Sequence, residues 1–240
     1  MKRDLNLVSG EYNPNSVTSI ENDLILNWYP HRVIRRSGHV ERLLELGLGH
    51  GHTAKIFNEH SDSYTVLDGS SVVIKQFKAN NPDFTGCVIE SYFEDFQSDE
   101  NYDVIVMGFI LEHVDDPHLI LKKYRNMLKS NGRLYIAVPN AKSLNRRFGL
   151  ALGIIDDIYS LNENDLALGH LRQYCLDTLT LAVTHAGYKV TYQEGIYLKP
   201  LPLSTLKTLD NFEDNLQAML KVGVDFPELC VGIMLELTII

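Results

Sequence analysis

Apolar residues fall along this chain in short, dense runs, and the segments between them carry helical periodicity. The runs are Leu44-Glu45-Leu46, Tyr64 to Asp68, Gly86 to Glu90, Tyr102 to Gly108, Gly132 to Asn140, Tyr188 to Gln193 and Cys230 to Ile240. They are rich in β-branched and aromatic residues and mostly apolar throughout instead of alternating, as expected of strands buried on both faces of a parallel sheet. The pattern predicts an α/β fold with a doubly wound, mostly parallel sheet. Helices are expected over about Ile20 to Arg36, from about Thr53, from near Ser70, and over Leu176 to Ala186, the last ended by Gly187. Pro30 should end or kink the first of these. From Asn211 to Val222, Phe212, Leu216, Met219 and Leu220 form one helical stripe, suited to packing on the body or to contact with a second copy.

No repeat, low-complexity tract or proline- or glycine-rich linker divides the chain, so it reads as one domain over 1–240. Its parts are a helical N-terminal cap (1–40), a core (41–138), an insertion (139–175) and the rest of the sheet with a helical insertion (176–240). The stretch from Asn140 to Tyr174 exceeds an ordinary connection and predicts a lid or cap. Within it, Phe148 to Ile155 is apolar enough to require burial.

The most informative eight residues are Leu44-Glu45-Leu46-Gly47-Leu48-Gly49-His50-Gly51. A strand that opens into three alternating glycines lets a ligand lie against bare backbone, and the following helix turns free N–H groups toward it. A plain tight turn between strand and helix would look similar. Asp68 ends the next strand at about the 20-residue spacing at which a carboxylate reaches ribose hydroxyls; it could instead cap the helix that follows.

At 240 residues and 45% apolar content the chain can bury a full core without a disulfide or metal staple. Cys87, Cys175 and Cys230 show no close pairing and fit buried free thiols in a reducing compartment. No metal set is suggested. Without a signal-like apolar stretch after Met1-Lys2-Arg3-Asp4, and without a run of about 20 apolar residues, the expectation is a cytoplasmic protein with no membrane partner. The formal charge of −9 argues against a nucleic-acid partner. Two local basic groups remain: His31, Arg32, Arg35 and Arg36 before the first strand, and Lys142, Arg146 and Arg147 after the fifth. If the second group faces inward it favours a small acceptor bearing phosphate or carboxylate; otherwise it is a solvated surface.

The glycine loop with Glu45 before it, Asp68 ending the second strand, and Leu111-Glu112-His113-Val114 after the fourth together resemble a class I S-adenosylmethionine-dependent methyltransferase, over about residues 41 to 194. A nicotinamide dehydrogenase is disfavoured because its fingerprint needs its third glycine where His52 stands. Acids such as Glu45 and Asp68 also suit a ligand with cationic centres better than a pyrophosphate. The resemblance implies a seven-stranded sheet closed by an antiparallel last strand, with S-adenosylmethionine as cofactor and S-adenosylhomocysteine as product. It implies that Gly47, Gly49 and Gly51 approach the methionine and ribose parts, that Asp68 holds the ribose, that Ser91, Tyr92 and Phe93 flank the adenine, and that Met107, Gly108 and Phe109 line the methionine side. Many relatives carry an aspartate in the third turn, absent here. Tyr12 or Trp28 could close the site from the N-terminal segment, or Trp28 could simply pack.

The Gly169 to Tyr174 segment and the Val138-Pro139-Asn140 strand end are similar to bacterial methyltransferases of the type 11/12 group, some of which act in sugar, surface-polysaccharide or secondary-metabolite pathways. A small-molecule oxygen acceptor is expected, with Asn140, Arg146, Arg172 and Tyr174 as candidates to bind it. Such an acceptor must lose a proton, and histidine is the natural base. His170 and His113 stand at the right places. His113 could instead shape the cofactor pocket and His170 could make a structural hydrogen bond. An N-methyltransferase, or a non-catalytic cofactor-binding partner protein, remains the alternative.

Overall fold

The computed structural model describes residues 19–240. Tyr12 lies outside them. In chain order the elements are α1 (Ser19–Ser37), β1 (Val40–Leu46), α2 (His52–Glu59), β2 (Ser61–Asp68), α3 (Ser71–Asn80), β3 (Cys87–Glu90), β4 (Tyr102–Gly108), α4 (Pro117–Arg125), β5 (Leu128–Pro139), α5 (Leu144–Ala151), α6 (Glu163–Ala167), α7 (Leu176–His185), β6 (Tyr188–Ile196), α8 (Leu203–Leu206), α9 (Phe212–Gly223) and β7 (Gly232–Ile239).

The seven strands form one sheet in the order β3-β2-β1-β4-β5-β7-β6. β3 through β5 run parallel, and β7 pairs antiparallel with both β5 and β6. Alternate strand residues feed two cores, which is why the runs are apolar on both faces. Leu44, Leu46, Ile105, Met107, Leu134 and Ile136 pack with α4 and α7. Leu43, Val66, Val104, Val106 and Tyr135 pack with α1, α2, α3 and α9. Strand order reverses between β1 and β4, so the crevice for a ligand lies past their carboxyl ends.

Helix α1 runs through Pro30 without ending there, since Ile25, Tyr29 and Val33 continue one buried face across it. Two ion pairs one turn apart fasten α1 to the sheet: Arg32 to Glu194, with an Nη2–Oε2 distance of 2.7 Å, and Arg36 to Glu236, with Nε–Oε2 of 2.6 Å. The Arg36 guanidinium also lies over the Tyr192 ring, 3.6 Å from its centroid. Trp28 packs at the margin of the same core beneath Arg32, beside Tyr192 and Lys221, so its role is packing.

Several expectations need correction. Between β3 and β4 the chain crosses the sheet in turns, with no helix over 91–101. Cys87 is exposed because β3 is an edge strand; Cys175 and Cys230 are buried, and all three thiols are free. The 148–155 stretch is not buried: α5 contributes no buried residue, and Leu152 and Ile154 are each 73% exposed. The insertion leaves the sheet and returns through Asn140 and Tyr174, which pair in an isolated parallel bridge. The α9 stripe packs on the chain's own body, with Leu216 and Leu220 buried and Phe212 and Met219 half-buried beside them. No helix among the described residues is long and apolar enough to cross a membrane.

Candidate active site

The loop after β1 has the backbone its glycines require: Gly47, Gly49 and Gly51 all have positive φ, at 86°, 49° and 75°. At Gly47 the positive φ is what demands glycine; a Cβ would meet only the terminal methyl of Ile110, at 2.5 Å, which can turn aside. Gly51 occupies the N-cap of α2 and offers no side-chain cap, which leaves first-turn N–H groups for a ligand.

Asp68 holds this loop. Its Oδ2 accepts from the Leu48 amide at 2.9 Å and its Oδ1 from the Ser70 amide at 2.8 Å. Burial raises its pKa, partly offset by the backbone N–H groups of Ser70, Leu48 and Gly49. A carboxylate can accept about four hydrogen bonds, so acceptor capacity is left for a ribose hydroxyl. The helix-cap alternative falls to its neighbour: the Ser70 hydroxyl caps α3 by accepting from Val73 N.

Beneath the loop lies a buried polar chain that includes Glu45. Its carboxyl accepts from the Tyr64 hydroxyl, and its charge acts on the buried Tyr29 of α1. Burial pushes the Glu45 pKa up to about 7, against the lowering effect of Thr53 and Tyr64. Glu45 therefore supports the loop from the core side. The Tyr29 hydroxyl lies against Gly108, where a Cβ would collide with it.

At the ends of β3 and β4, Ser91 donates its amide to the Asp68 carbonyl at 2.9 Å, which fixes the third turn beside the second. Its hydroxyl donates to the Tyr92 carbonyl, and the half-buried Phe93 packs on the core. Phe109 has φ 58°, uncommon for a residue with a Cβ. Its amide bonds the Ala137 carbonyl at 2.7 Å and its ring meets Tyr29 edge-on.

Beyond the end of β4, Glu112 and His113 converge with His170 of the insertion. One donor atom from each lies within 4.8 Å of the others, and the two imidazole rings meet edge-on with centroids 4.8 Å apart. Glu112 is 1% exposed, and neither of its oxygens has a hydrogen-bond partner. Burial pushes its pKa up to about 7, with His170 and Arg172 pulling the other way. His170 Nδ1 lies 3.3 Å from Asp165 Oδ1 without the alignment of a hydrogen bond, so this contact is electrostatic. Asp165 is fixed by the Asn162 amide, by Gln173 Nε2 and by its place in the α6 capping box. Two imidazoles and a carboxylate are also donors that a divalent ion would accept.

The four acceptor candidates are placed differently. The Asn140 amide is committed within the chain, donating to the carbonyls of Cys230 and Pro227 and accepting from Lys142 N. Arg146 donates to the carbonyls of Ile158 and Ser160, holding the insertion's shape. Arg172 donates to the carbonyls of Leu111, Val114 and Asp115, which ties the insertion to the segment carrying Glu112. Tyr174 is buried and lines a cavity with Asp116, His118 and His185.

Sequence reasoning missed Glu112 and Asp165 as site residues. Glu112 had a signal, as a lone acid in the apolar run from Phe109 to Val114; Asp165 had only the Asn162-x-x-Asp165 spacing of a helix start.

A family model described as a methyltransferase domain matches residues 25–193. Among curated proteins, a ubiquinone biosynthesis O-methyltransferase of Glaesserella parasuis serovar 5 (strain SH0165) is 26% identical over 108 residues, 42% of this chain and 46% of that protein. The match thus spans less than half of that relative's length. Among solved structures, the N-methyltransferase NodS of Bradyrhizobium japonicum WM9 in complex with S-adenosylhomocysteine superposes with a TM-score of 0.61 at 12% identity, covering 99% of each chain. An S-adenosylmethionine-dependent methyltransferase of Mesorhizobium loti gives 0.62 at 14% identity, covering 90% of this chain and 98% of the other. Such identities speak to the fold alone.

Proposed function

Because the chain belongs to the methyltransferase family whose domain model matches residues 25–193, we propose that it moves the methyl group of S-adenosylmethionine to an oxygen of a small anionic metabolite, such as a sugar or phosphorylated compound. The observation that carries this reading is that a glycine loop clamped by Asp68 and the Glu112–His113 segment, which meets His170 and Asp165 of the insertion, follow the carboxyl ends of adjacent parallel strands, β1 and β4.

The residues fit the cofactor. Asp68 keeps acceptor capacity for ribose, the uncapped start of α2 suits a carboxylate, and Phe93 offers an apolar flank for the base. When bound, the cofactor supplies an electrophilic methyl carbon on a cationic sulfur. The chain's task is alignment and proton removal. The acceptor oxygen forms the new bond to carbon as the sulfur–carbon bond breaks, the electron pair staying on sulfur. The acceptor's proton goes to His170, whose imidazolium the Asp165 carboxylate stabilises. An anionic acceptor is favoured because Arg147 and Arg172 bond backbone carbonyls, which satisfy their donors without cancelling their charge.

The test is incubation with S-adenosylmethionine and a panel of sugar, phosphate and carboxylate acceptors, reading S-adenosylhomocysteine. Turnover with a hydroxyl acceptor is expected. A protein that binds neither the cofactor nor its product by calorimetry would overturn the reading.

A further inference from the structure

We infer that Glu112, His113 and His170 form a site for one divalent transition-metal ion of the zinc class, with Asp165 as the outer carboxylate that orients His170. Four observations meet here. One donor atom from each of the three residues lies within 4.8 Å of the others. Glu112 is almost fully buried, yet neither oxygen has a hydrogen-bond partner, although buried polar groups are nearly always satisfied. His170 places Nδ1 beside Asp165, which leaves Nε2 for an ion in the carboxylate–histidine–metal arrangement. His113 is only half-buried, which gives an ion a way in.

Donor chemistry selects the ion. Two imidazoles and one carboxylate suit zinc, cobalt or iron and disfavour calcium and magnesium, which take oxygen donors. At roughly 2.1 Å from each donor the ion would draw the three side chains together by about an ångström, a matter of side-chain rotation. Glu112 and Asp165 supply two negative charges against the two positive charges of the ion. Three protein ligands leave a position for the acceptor. This use of the site rests on the methyl-transfer reading: the ion, held by Glu112, His113 and His170, would act as a Lewis acid that makes an acceptor hydroxyl give its proton to solvent more readily, while the methyl carbon leaves sulfur for that oxygen with the electron pair staying on sulfur. In the loaded state the ion replaces His170 as the group that promotes deprotonation.

The experiment uses untagged full-length protein, freed of metal with a chelator and titrated with Co2+ alone, followed by visible absorption and by ring-proton NMR of the histidines. One equivalent should bind, with paramagnetic shifts on His113 and His170. Glu112→Gln and His113→Gln should each weaken binding more than tenfold, and Asp165→Asn by about 10- to 100-fold, with far-UV circular dichroism unchanged. No saturable uptake, shifts confined to other histidines, or undiminished uptake in both Glu112→Gln and His113→Gln would overturn the site. Calorimetry with S-adenosylhomocysteine on the same sample separates the two readings. Protein that binds this product but no cobalt loses the metal site and keeps methyl transfer; protein that binds cobalt but not the product does the reverse.

Discussion

His170 Nδ1 stands 3.3 Å from Asp165 Oδ1, so the carboxylate that orients the candidate base comes from the start of α6 in the insertion and not from the sheet. His170→Gln should lower kcat at saturating cofactor by about 10²- to 10⁴-fold, the range of general-base loss, while product affinity stays near wild type. Asp165→Asn should lower kcat less. An unchanged rate and pH profile in His170→Gln would remove it from the mechanism.

Asp68→Asn places an amide donor against the backbone donors of Leu48 and Ser70. S-adenosylhomocysteine should bind at least about tenfold more weakly, the cost of leaving buried donors unpaired. Calorimetry checks this, and wild-type affinity would dissociate Asp68 from the cofactor.

Glu45 makes stability pH-dependent in a defined direction. Its folded pKa, about 7, lies above the ordinary 4.5, so the fold binds this proton more tightly than the unfolded chain does. The contribution is fully present below pH 4.5 and is lost as pH rises through 7, amounting to about 3 kcal/mol at 1.36 kcal/mol per pH unit. Denaturant unfolding of Glu45→Gln between pH 5 and 8 should show a flatter profile than wild type.

Gly108→Ala drives a methyl group into the Tyr29 hydroxyl. A loss of about 1–3 kcal/mol is expected for overpacking, and Tyr29→Phe should recover part of it in a double-mutant cycle. Additive effects would show that the two residues do not meet.

Arg32→Met leaves Glu194, fully buried, without its ion-pair partner. Destabilisation of about 3–5 kcal/mol is expected. Replacing both Arg32 and Glu194 by apolar residues should cost much less, and equal losses would point to packing as the cause.

The sheet was readable from sequence because each central strand is buried on both faces and so writes itself as an unbroken apolar run. β5 begins earlier than its run, at Leu128, because its first residues, Lys129 to Gly132, are polar and the pairing with β4 is irregular there. The loop glycines were readable because positive φ restricts the residue type. The Glu112–His113–His170–Asp165 cluster was readable only in pieces. Its members come from two segments brought together by the insertion's return, and no local periodicity encodes that meeting. The same limit explains Phe148 to Ile155, whose composition asks for a cover that the chain's path does not provide.

That uncovered helix tolerates change unevenly. Since α5 contributes no buried residue, exposed positions on it such as Phe148 and Leu150 can be replaced without disturbing either layer of the body, whereas Arg146 on the same helix is held by the carbonyls of Ile158 and Ser160 and tethers the insertion.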